Sequence, residues 1–96
     1  MLFIATCTDK PDSAPTRKEN RPAHLAYLGG LSDKVKAGGA LLTPDQTAVL
    51  GSLLIIEAAD AAEVAALLAE DPYAKAQLFA TIDIKPWRQA VGAPLA

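Results

Sequence analysis

Three observations predict an α+β domain whose elements run strand, helix, strand, strand, helix, strand. Two runs, residues 2–8 and 51–58, are apolar on both strand faces, and helically spaced apolar residues follow Pro22 and Asp60. A third run, residues 78–85, alternates between apolar and polar side chains. The order is βαββαβ, that of a ferredoxin-like fold: an antiparallel four-stranded sheet with two helices on one face.

The first strand, residues 2–8, sets Leu2, Ile4 and Thr6 on one face and Phe3, Ala5 and Cys7 on the other. After the turn-forming stretch Asp9-Lys10-Pro11-Asp12-Ser13, Thr16 and Glu19 have the spacing of a capping box, so a helical turn is expected there. Pro22 lacks a backbone donor, which predicts a bend or restart near Asn20 and Arg21, with Asn20 able to cap the second segment. The main helix is then expected over residues 22–37, stopped by Gly38-Gly39. Its stripe His24, Leu28, Leu31, Val35 carries the single histidine inward, with Arg21 and Arg17 prolonging the stripe.

A short, weak strand over residues 40–43 leads through Pro44-Asp45 into a hairpin connection and then into the strong strand 51–58. Its run Leu53-Leu54-Ile55-Ile56 does not alternate, as expected of a central strand buried on both faces. Asp60 and Glu63 open a second helix with the stripe Val64, Leu67, Leu68, ending at Asp71-Pro72. The strand 78–85 is half exposed, as at an edge, and Pro86-Trp87-Arg88 closes it. Residues 1–96 are read as one domain, with 89–96 a loose C-terminal tail. Two helices cover one sheet face only, so the apolar first and third strands predict a second cover: a homodimer with facing sheets.

Composition narrows the function. The 96 residues are 51% hydrophobic with a net charge of -2 and no cluster among the nine basic residues, which argues against a nucleic-acid partner. The apolar run at the chain start meets Asp9 and Lys10 too soon to be a signal core or a membrane span. One cysteine, Cys7, fits a reducing, cytoplasmic setting. No serine among Ser13, Ser32 and Ser52 lies in a nucleophile elbow, there is no glycine-rich phosphate loop, and Cys7 reads as a small buried side chain. One histidine without a cysteine cluster predicts neither metal nor cofactor, although Asp9 and Asp12 could hold a hard cation weakly.

His24 is therefore the candidate for proton transfer. Asp71 stands three, four and seven residues after Leu68, Leu67 and Val64, so it points inward. At the end of the second helix its charge would also be opposed by the dipole, by roughly 0.3–1 kcal/mol. A carboxylate placed against both burial and dipole needs a partner, and His24 is the inward-facing polar group of the other helix. The expected contact is a hydrogen bond from one ring nitrogen to Asp71 that leaves the other nitrogen as general base; a buried pair that only joins the helices is the other reading. Arg21 and Arg17 could hold a carboxylate or phenolate beside that base, or be solvated surface cations. Tyr73 could offer a hydroxyl to the same pocket, or only a packing ring.

Taken together, Arg21-x-x-His24-Leu25, Gly38-Gly39-Ala40-Leu41-Leu42, Gly51-Ser52-Leu53, Asp71-Pro72-Tyr73 and Ile84-Lys85-Pro86-Trp87 resemble the YciI-like (YCII-related) family over nearly the whole chain. The resemblance implies a dimeric α+β barrel of ferredoxin-like subunits, a pocket with a His and Asp pair matching His24 and Asp71, and proton-transfer, isomerase or elimination chemistry on a small cyclic or aromatic compound. The family's Gly-Pro pair after the second strand is here Thr43-Pro44, so a pocket wall built by that turn should differ. The alternative is a non-catalytic dimer that binds a small ligand or serves as an accessory protein.

Overall fold

The computed structural model describes residues 1–95; the last residue of the expected tail, Ala96, lies outside them. β1 (Leu2–Asp9), α1 (Ala14–Gly29), β2 (Val35–Leu42), β3 (Val49–Glu57), α2 (Ala61–Ala69), the single turn α3 (Pro72–Lys75) and β4 (Phe79–Trp87) follow one another. The strands form one antiparallel sheet in the order β2-β3-β1-β4, so the two apolar strands are central and the alternating strand is at an edge. This is the predicted ferredoxin-like arrangement.

Strand pairing sorts the side chains into two faces. Phe3, Ala5 and Cys7 pair with Ile56, Leu54 and Ser52, all of them buried beneath the helices. With Val64 and Leu68 of α2 most of these make the core, flanked by Leu28, Val35, Leu67 and Ile84. Each large aliphatic or aromatic side chain so buried contributes about 1.5–3 kcal/mol. The opposite face carries Leu2, Ile4, Leu53 and Ile55, each half-buried by its sheet neighbours and covered by no helix.

The first helix differs from expectation at both ends. It starts after Ser13, three residues before Thr16, with Pro15 in its first turn, and it passes through Pro22 without a restart. The carbonyl that loses a donor to Pro22 is that of Lys18; both residues are exposed, so water can meet the unpaired group. Asn20 is inside the helix, and its Nδ2 donates to the Thr16 carbonyl at 2.8 Å. The stop is the earlier glycine pair: α1 ends at Gly29, with Gly30 at the C-cap. Leu31 and Val35 therefore leave the helix, and Gly38-Gly39 lies inside β2, which is twice as long as expected because residues 35–42 gain a full ladder with β3.

The second helix starts as predicted. The Asp60 carboxylate accepts from Glu63 N at 2.8 Å, and Glu63 Oε2 accepts from Ala59 N at 2.8 Å. No helix among the described residues is long and apolar enough to cross a membrane. Past β4, the Gln89 side-chain amide donates to the Val91 and Ala93 carbonyls and accepts from Leu95 N.

Candidate functional site

The only buried residue of α1 is His24. Its ring faces α3, and Nδ1 lies 2.9 Å from both carboxylate oxygens of Asp71. Asp71 is 1% exposed, and its Oδ1 also accepts from the Tyr73 backbone N at 2.9 Å. Facing an ionised carboxylate, which can only accept, Nδ1 is the donor, and in the neutral imidazole that leaves the lone pair on Nε2. The Tyr73 ring stacks on the imidazole, with centroids 3.8 Å apart and planes 14° from parallel, and so holds its orientation.

The dipole argument for Asp71 is corrected by this geometry. Asp71 is the N-cap of α3, where a carboxylate is favoured, and not a penalised residue at the end of α2. A turn too short to show any periodicity changed the sign of the effect. The inward direction and the partner were nonetheless as expected.

Arg17 is held more firmly than a surface cation. Its Nε donates to Asp9 Oδ2 at 2.7 Å, its Nη2 donates to Asp9 Oδ1 and to Ser52 Oγ at 2.9 Å each, and its guanidinium lies 4.7 Å from the Tyr73 ring centroid. Burial works against the charge of Arg17, but Asp9 more than offsets it and the arginine becomes harder to deprotonate. Asp9 is thus committed to Arg17 and is not a cation ligand. Among the described residues no group of three or more His, Cys, Asp or Glu side chains could hold a metal ion. Burial pushes the Tyr73 phenol above its ordinary value, while the charges of Arg17 and Arg21 pull it back, so it is a protonated donor at neutral pH.

These groups border a cavity of about 460 Å³ between α1 and the inner face of β2 and β3. Arg17, Arg21, His24, Ser52 and Tyr73 supply its polar side; Leu25, Leu28, Val35, Leu54 and the small residues of β2 supply the rest. All four substrate or base candidates beyond Asp71 thus converge, with Arg21 exposed at the rim. The Thr43-Pro44 turn does not line this cavity; the Thr43 hydroxyl instead donates to Asp45 within the hairpin, so that turn builds no part of the wall. A second hollow, about 580 Å³ around Met1, Glu57, Trp87 and Gln89, is not lined by the imidazole or by any serine, threonine or cysteine.

Asp9 and Ser52 were missed as site residues. Strand parity could have found them: Asp9 follows Phe3, Ala5 and Cys7 at the same spacing, and Ser52 precedes Leu54 and Ile56. A polar group on a face turned toward helices needs a partner.

The structure is thus that of a small α+β protein: a ferredoxin-like sheet with a buried His and Asp pair beside a cavity of mixed polar and apolar lining. Residues 1–88 match the YCII-related domain, and the chain belongs to that family. It is 32% identical to Protein YciI of Escherichia coli O6:H1 and of Shigella flexneri, over 93% of this chain and 98% of each relative. Its fold superposes with a TM-score of 0.85 on 5-chloro-2-hydroxyhydroquinone dehydrochlorinase (TftG) from Burkholderia phenoliruptrix AC1100, solved in complex with 2,5-dihydroxybenzoquinone. Identity to that protein is 38%, covering 94% of this chain and 96% of the other.

Proposed function

We propose that the protein is an enzyme that moves a proton on a small cyclic or aromatic compound, by isomerisation or elimination, with His24 as the acid–base group and Asp71 as its orienting partner. The observation that carries this reading is the Nδ1 contact with both Asp71 oxygens at the wall of a cavity. Asp71 fixes the tautomer and stabilises the imidazolium that forms when Nε2 takes a proton. Arg21 at the rim draws in an anionic or phenolic substrate, and Tyr73 serves as stacking wall and donor. A cavity of about 460 Å³ is the size of a site for one small ring compound, and the dehydrochlorinase among its structural relatives acts on a hydroxylated, chlorinated ring.

The working form in this reading is a homodimer joined through the uncovered sheet faces, and the lone buried thiol suits a cytoplasmic setting. A screen of chlorinated hydroxyhydroquinones and small lactones against wild type and His24→Ala tests the chemistry. Turnover that falls at least a hundredfold in His24→Ala is expected. Turnover that survives the substitution, or a well-folded wild type that binds such compounds and converts none, overturns the reading in favour of a binding protein.

A further inference from the structure

Leu54 stands between two regions. It belongs to the core with Phe3, Ala5 and Ile56, and it also lines the cavity between α1 and the sheet. Its neighbour across the ladder with β2 is Gly38. A Cβ on Gly38 would lie 2.5 Å from Leu54 Cδ2, where carbon atoms ordinarily keep about 3.5–4.0 Å apart. Leu54 therefore takes the space that a side chain at position 38 would fill, and lies low over β2. Backbone conformation does not call for this glycine: among the described residues the glycine with positive φ is Gly92, so what Gly38 supplies is room. The adjacent Gly39 differs, since a Cβ there meets nothing within 4 Å. Resting on the reading that this cavity takes ring compounds, we propose that Gly38, acting through Leu54, is a specificity-determining residue that sets how long an apolar substituent the ring can carry.

The cavity is the open direction in which Leu54 can give way. On its other side Leu54 pairs with the fully buried Ala5 of β1, in an interior packed too closely to accept a displaced methyl. A methyl added at position 38 pushes Leu54 Cδ2 into the cavity and shortens the space above it by about one carbon. Leu54 is two residues along β3 from Ser52, about 7 Å, so it meets the edge of a ring turned away from the polar side of the cavity. A substituent there lies among Leu25, Leu28, Val35 and Leu54, which offer no hydrogen-bonding side chain. An alkyl or halogen group fits that setting, and a hydroxyl or charged group is left unpaired. The substrate class narrows to rings with one short apolar substituent opposite their polar group.

The probes are phenols carrying hydrogen, methyl, ethyl, propyl or butyl opposite the hydroxyl, with dissociation constants read by calorimetry. In wild type, affinity is expected to rise about fourfold with each added carbon and to fall once the group outgrows the space above Leu54. Gly38→Ala should make the best-bound member one carbon shorter, Leu54→Val one carbon longer, and the double substitution should restore the wild-type member. A general loss of stability would not produce that restoration. Equal weakening of the whole series in Gly38→Ala, one best-bound member common to all the variants, or a wild type that binds no phenol or gains nothing from added carbons overturns the proposal. Should Gly38→Ala fail to fold, Leu54→Val decides alone, since it only removes one carbon from an apolar side chain, and an unmoved best-bound member overturns the proposal. Because the readout is an order of affinities and not turnover, the size limit can fail while His24 acid–base chemistry stands, and can hold in a protein that only binds.

Discussion

Cys7 lies on the inner face of β1, opposite Ser52, with no exposed surface. Burial above all, then the charges of Asp71 and Asp9, push its thiol up to about 11 against a slight opposing pull from Arg17. A thiol raised in the folded state favours folding below its unfolded value, near 9, and that contribution is lost as pH rises through about 11. Native protein at about pH 8 is therefore expected to resist iodoacetamide, with rapid alkylation only after denaturation. Mass spectrometry reads the outcome, and fast native labelling would show that the inner face opens. His24 and Asp71 were legible as inward-facing residues because each follows the apolar spacing of its neighbours. Their contact was argued from two residues that burial leaves without alternatives, although Asp71 reached its place as the cap of a turn that no periodicity announces.

Among the elements, β3 depends on one close approach. A Cβ on Gly51 would stand 1.9 Å from the Cys7 carbonyl oxygen, a backbone atom that cannot swing aside. Gly51→Ala is expected to push β3 from β1 and to lose about 2–4 kcal/mol of stability, read as a lower denaturant midpoint. Because Cys7 adjoins the strand end that holds Asp9, the same change should loosen Arg17. A midpoint equal to wild type would show that the strands reregister freely. Element type was legible where a period was sustained, in α2 and β4, and where an unbroken apolar run marked a central strand, in β1 and β3. Residues 31–37 were not: their helical spacing is real, but Gly29-Gly30 ends α1 and the ladder with β3 takes residues 35–42. The exposed Pro22 misled in the opposite sense, since a lost hydrogen bond at the helix surface is replaced by water.

At the scale of the whole molecule, the two sheet faces are unlike. One is closed by α1, α2 and α3; the other leaves Leu2, Ile4, Leu53 and Ile55 in a contiguous half-buried patch at the centre of the sheet. A stable homodimer buries about 800 Å² per partner, an area a four-stranded sheet face can supply. The expected solution species has twice the mass of the chain by light scattering, and Ile55→Lys should convert it to monomer by placing a charge at the centre of the patch. A wild type that remains monomeric at micromolar concentration would leave the face without its proposed cover.

Period, parity and the βαββαβ order are properties of neighbouring residues, so the sequence alone determined the fold class, the central strands and the inward direction of His24 and Asp71. Three-dimensional packing decided where α1 stops, that Asp71 caps a turn, and that Asp9 and Ser52 clamp Arg17 beside the cavity. Those outcomes join residues far apart in the chain, 47 positions between His24 and Asp71 and 35 between Arg17 and Ser52. Such contacts form only once the sheet has set the helices at a definite distance, and each is chosen because a buried polar group left unpaired costs about 1–3 kcal/mol.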